Sequence, residues 1–315
     1  MSAEVEATLL ETDFARKLAG YKSDADVDAY LRCWQDDRNL RELYEKKYRP
    51  LVHAAAAAAN IPYPILACLF FRESGYDKDI RSHARPPAVG IAQMMPETWT
   101  SMTGLLSGTA KADNPSVPKN LRAGVPSDGK PLDLTVKAIE AIYAKVPKGG
   151  SITDVDTFKR MQMLLTDYIK YRPEKKKLAK SYLNYFRDVR AHAEMMRIFG
   201  EYRKAAGGKI STDSRNDPIA AIGVGAAYAK AFVFDAVIEK DGRYRYPSYD
   251  RWIIATGAYN SGPGASKCDE AMTAEECIAA TSVLETKRHM AAIRNCSEQG
   301  NDEPMNKGEG PGCYK

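Results

Sequence analysis

Pro64-Ile65-Leu66-Ala67-Cys68-Leu69-Phe70-Phe71-Arg72-Glu73-Ser74-Gly75-Tyr76 combines an apolar helical pattern with a single acid at its end. Leu66, Leu69 and Phe70 recur at helical spacing, Pro64 suits a first helical turn, and Gly75 suits a stop. The spacing predicts a helix that places Glu73 at its C-terminal end, where the helix dipole disfavours a carboxylate. That is a poor place for a merely structural acid. Flanked by Leu69, Phe70 and Phe71, the carboxyl is set up for a raised pKa, which protonation of a poor leaving oxygen requires.

Outward from this segment the pattern is helical almost throughout. Asp24 to Ala59 carries one expected buried stripe of Tyr30, Cys33, Trp34, Leu40, Leu43 and Tyr44. Prolines 115, 118, 126, 131 and 147 mark a loop-rich stretch. Two further amphipathic stripes follow, Val155, Phe158, Met161, Leu165 and Ile169, then Leu178, Tyr182, Phe186, Val189, Ala193, Met196 and Phe199, parted by Arg172-Pro173. A small-residue helix is expected after Asp217-Pro218, and another from Trp252 to Tyr259.

The chain has 315 residues, 44% hydrophobic and 28% charged, which excludes a disordered tail. No run approaches the roughly 20 apolar residues of a membrane span. The N-terminus has neither a basic start nor an apolar core, so no secretory signal is visible. Residues 105–214 hold 21 Lys and Arg against 12 Asp and Glu, net +9, while the rest holds 25 against 29, net −4. A basic segment of this kind faces an anionic polymer or partner, or is a solvated helix face. With Tyr171 its only aromatic until Tyr182, the run Lys170 to Lys180 offers no stacking platform, and no nucleic-acid role is expected.

Six cysteines without a C-x-x-C pair argue against a zinc ribbon and for disulfides, or else for idle thiols. Cys268 with Cys277 and Cys296 with Cys313 are the cheapest loop closures. The histidines, His53, His83, His192 and His289, show no metal-ligand spacing and read as structural residues. No metal and no cofactor are expected.

Two later segments accompany Glu73: Gly90-Ile91-Ala92-Gln93-Met94-Met95-Pro96, and Ala258-Tyr259-Asn260-Ser261-Gly262-Pro263-Gly264-Ala265. With Glu73-Ser74-Gly75 they stand in the order of three signatures of the soluble lytic transglycosylases, the goose-lysozyme-like family that cleaves peptidoglycan glycan strands, and the sequence resembles that family over about 61–103 and 216–265. The stretch between Gly75 and Gly90 departs from it, as does the long segment between the second and third motifs. The resemblance implies a mainly α, lysozyme-like catalytic domain interrupted by a helical insertion. The expected organisation is 1–60 N-terminal helical region, 61–104 and 215–295 the two parts of the catalytic domain, 105–214 the basic insertion, and 296–315 a polar tail.

It also implies lytic transglycosylase activity. Glu73 would be the single general acid and base, Ser74 and Tyr259 would hydrogen-bond near it and orient it, Gln93 and Met94 would line the cleft, and Asn260 would contact sugar or hold its loop. A helix end followed by a Gly-Pro-Gly turn explains Tyr259 and Asn260 equally well. A hydrolytic goose-type muramidase, with Asp77, Asp79 or Glu97 positioning water, and a non-catalytic wall-binding protein are the alternatives. The expected partners are glycan strands and a larger assembly, a bacteriophage virion ahead of a secretion apparatus, with action in the cell wall or periplasm. Tyr182, Tyr185, Phe186 and Phe199 are the expected interface anchors.

Overall fold

The computed structural model describes residues 20–35, 37–109, 119–145, 155–235, 248–261, 268 and 272–298. The Gly262-Pro263-Gly264-Ala265 end of the third motif, the tail from 299 on and Cys313 lie outside them. In chain order the helices are α1 Asp24–Trp34, α2 Arg38–Leu43, α3 Arg49–Ala59, α4 Tyr63–Ser74, α5 Pro96–Ser107, α6 Lys119–Arg122, α7 Pro131–Lys145, α8 Val155–Tyr171, α9 Lys176–Ala205, α10 Pro218–Tyr228, α11 Tyr249–Ser261, α12 Ala274–Ala280 and α13 Leu284–Ser297. Among the described residues there are isolated bridges but no strands, so the fold is mainly α, consistent with a lysozyme-like fold. No helix among them is long and apolar enough to cross a membrane.

Two compact units result: the described residues up to Thr100 with those from Ile198 onward, and Ser101–Arg197. In the first, caps set the helix starts. Ser23 accepts from the Asp26 N–H at 3.1 Å, Asp37 from the Asn39 N–H at 2.7 Å, and Asp217 from the Ile219 N–H at 2.9 Å. The N-terminal stripe differs from expectation. Val27, Asp28, Leu31, Tyr44 and Tyr48 are buried, whereas Tyr30, Cys33, Trp34, Leu40 and Leu43 are only half-buried. The break at Gln35 and the π-turn over Tyr44–Tyr48 shift the helical register, so one continuous period misassigns the inward face. Buried Asp28 accepts from Tyr44 at 3.0 Å and from Tyr63, and pairs with Arg49 at 2.6 Å, tying α1 to α3 and α4.

The core of the second unit draws on Leu121, Val136, Ile139, Met161, Leu165, Tyr168, Tyr182 and Phe186. Helix α7 occupies a stretch expected to be loop. Pro131 is its first residue, where a missing N–H costs nothing, and Val136, Ile139 and Ile142 form a stripe. The expected interface anchors are corrected by burial: Tyr182 and Phe186 are 0% exposed, Tyr185 8% and Phe199 6%. Large aromatics on an amphipathic helix fill the nearest core first. Met196 is 43% exposed while Met195 turns inward, because the period drifts along the 30 residues of α9.

Candidate active site

Helix α4 is stopped by Gly75 in the left-handed region at φ 58°, its N–H bonded to Phe71 O at 2.7 Å. Tyr76 follows at φ 63° and is buried beneath α4, its hydroxyl donating to Ala67 O at 3.0 Å. Glu73 thus ends the helix with a side chain only 13% exposed, and its Oε1 is sealed from solvent. Burial pushes the carboxyl up to about 8; Arg72 opposes the shift and Glu285, in the first turn of α13, adds to it. At neutral pH Glu73 is therefore protonated.

The expected neighbours take other hydrogen bonds. Ser74 Oγ donates to Phe70 O and accepts from the Tyr76 N–H, both at 3.0 Å, so it secures the helix end and not the acid. Tyr259 donates to Ala92 O at 2.8 Å, joining α11 to the Gly90–Met94 turn. Burial and the neighbouring Glu73 both hold its phenol neutral. Gln93, at φ 45°, folds its amide onto Gly90 O at 2.9 Å and Ile80 O at 3.3 Å, while Met94 is buried. Asn260 is exposed and accepts from Ser261 Oγ.

Arg215 and Asn216, which no motif marks, anchor the segment from Lys78 to Met94. Arg215 Nη1 donates to Met94 O at 2.9 Å and Pro87 O at 3.2 Å, and Asn216 donates to Lys78 O at 3.1 Å. A Cβ on Gly90 would lie 2.2 Å from Arg215 O, so only glycine fits there, at φ +78°. The available signal was their place just before the Asp217 cap.

His289, whose spacing reads as structural, has a neighbour of note. It lies on the buried face of α13 with Thr286, Met290 and Ile293, and is the titratable group on that face. Its Nε2 is 3.6 Å from Glu73 Oε1, beyond hydrogen-bond range. Burial, with Arg72 nearby, pushes the imidazole down to about 3, so the contact joins two neutral groups at neutral pH.

Cysteine pairing corrects one expectation. Cys296 is bonded to Cys68, with Cα atoms 5.8 Å apart, and not to Cys313. Loop-closure entropy favours near neighbours only in the unfolded chain; in the fold α13 packs on α4 and brings Cys68 into reach. Cys268 is bonded to Cys277, and Cys33 is also disulfide-bonded. Among the described residues no cluster of His, Cys, Asp and Glu could hold a metal ion.

Residues 50–126, from α3 through α6, match the family model described as the transglycosylase SLT domain. Over these residues the chain is similar to the transglycosylase SLT domain. This agrees with the resemblance to the lysozyme-like soluble lytic transglycosylases and supports lytic transglycosylase activity on peptidoglycan in the cell wall. Glu73, Ser74, Gln93 and Met94 fall within the SLT match; Tyr259, Asn260, Glu285 and His289 lie beyond it. No curated protein and no solved structure matches the chain.

Proposed function

We propose that the SLT domain cleaves the β-1,4 bond between N-acetylmuramic acid and N-acetylglucosamine, with Glu73 as its single acid and base. The observation that carries this reading is a carboxyl at a helix end, raised to about 8 by burial and so protonated when substrate arrives. Glu73 gives its proton to the glycosidic oxygen while the muramoyl acetamide assists at the anomeric carbon. The resulting carboxylate then removes the proton of the sugar's own C6 hydroxyl, whose oxygen closes the 1,6-anhydro ring and leaves Glu73 protonated again. The reading assigns no cofactor to the reaction.

A hydrolytic reading would require a second carboxylate to position water, and the candidate is Glu285, exposed in the first turn of α13, whose charge acts on Glu73. Mass spectrometry of digested sacculi separates the two. The transglycosylase yields 1,6-anhydromuropeptides from the wild type and none from Glu73→Gln, whereas reducing-end muropeptides would establish hydrolysis. The expectation that a virion or secretion apparatus delivers the enzyme is tested separately, by probing purified particles for the chain.

A further inference from the structure

Two buried polar atoms face each other at the end of α4 without hydrogen-bond partners. Glu73 Oε1 and His289 Nε2 are both sealed from solvent and stand 3.6 Å apart. A buried polar atom left unmatched is costly, and native folds retain few. An opposed pair of them at an acid points to a contact that shortens during turnover, because catalytic hydrogen bonds are often long before substrate binds.

The surroundings fix what His289 faces. Arg72 stands beside Glu73 on α4, Glu285 lies in the first turn of α13, and Tyr259 lies on α11. Helix α13 cannot drift, since Cys296 is bonded to Cys68 of α4 and Met290 packs directly over Gly257 of α11. A carboxylic acid has two oxygens that can carry its proton. Unless one of them is held, the proton spends part of its time on the wrong one.

We propose that His289 is a positioning residue for Glu73: its Nε2–H donates to Oε1, confines the acid proton to Oε2, and holds the carboxylate in place once that proton has passed to the glycosidic oxygen. This rests on the reading of Glu73 as the acid. A neutral imidazole suits the task because it donates without adding a charge that would strip the proton from Glu73 before substrate binds. The burial that keeps His289 neutral is consistent with it.

The test uses the full chain on purified sacculi, comparing His289→Leu, His289→Gln and Glu73→Gln with the wild type, and nitrogen NMR of the wild-type imidazole. His289→Leu should lower kcat by about 10- to 100-fold, a smaller loss than removing a donor aimed at the transition state, and leave KM unchanged. Its alkaline limb should move up, since a carboxylate without its donor is harder to form. His289→Gln, whose amide can reach the place of Nε2, should recover most of kcat. NMR should find the proton on Nε2. Unchanged kcat and pH limb in His289→Leu, or a wild-type imidazole protonated on Nδ1 alone, would overturn the proposal. If His289→Leu does not fold, the wild-type tautomer decides. Activity in Glu73→Gln, or no anhydro product from the wild type, would instead bring down the functional reading.

Discussion

Cys68 and Cys296, 228 residues apart in sequence, are joined by a disulfide that fixes the helix bearing Glu73 against the helix bearing His289. Cys68 precedes Glu73 by five residues on α4, and Cys296 follows His289 by seven on α13. At 1.5 Å of rise per residue the cross-link therefore lies about 7 to 10 Å along each helix from the facing pair. It is close enough to restrain their separation without entering the site.

In the chain-entropy picture the long loop closed by Cys68–Cys296 contributes about 5 kcal/mol and the short one closed by Cys268–Cys277 about 3 kcal/mol. Paired replacement of Cys68 and Cys296 by Ser should lower both the denaturant midpoint and activity on sacculi. Replacing Cys268 and Cys277 should lower the midpoint less. Equal losses from the two double variants would contradict this ordering.

Activity should depend on pH through one visible limb. Glu73 must be protonated to act and its carboxyl is raised to about 8, so kcat/KM should be level near neutrality and fall above that value. His289, held down to about 3, contributes no break near neutral pH. A profile that already falls near the ordinary carboxylate value would show that the acid is not held protonated by burial.

Stability should carry the same signature with a defined sign. Folded Glu73 keeps its proton to about 8, whereas in the unfolded chain it loses it near 4.5. Between those values the unfolded state binds fewer protons, so folding stability falls as pH rises, by about 1.4 kcal/mol per unit at most. Glu73→Gln lacks this penalty and should gain stability relative to the wild type across the window. Denaturant melts at pH 5 and pH 9 would check it, and a constant difference would refute the shift.

Gly257→Ala should be costly for a reason unrelated to helix propensity. A Cβ there would meet Met290 Sδ at 2.6 Å and Cγ at 2.9 Å, so Met290 must repack between α13 and α11. Overpacking of this kind costs roughly 1–3 kcal/mol. Because Met290 adjoins His289, kcat should fall together with the melting temperature. A stabilised variant with full activity would show that Met290 simply swings aside.

The sequence by itself determined the local features. Gly75 as the stop of α4, Asp217 as the cap of α10, and the Met161, Leu165 stripe of α8 each depend on residues within a turn or two of one another, where capping and period are set. The position of Glu73 at an apolar helix end followed from the same rules. Tertiary structure alone decided what each side chain meets. Cys296 found Cys68, Ser74 and Tyr259 gave their hydrogen bonds to backbone carbonyls, Tyr182 and Phe186 turned into a core, and His289 came to face Glu73 from a helix more than 200 residues away. No periodicity encodes such a meeting, because it depends on which faces of distant helices close-pack, and that is set by the shapes of all the intervening elements at once.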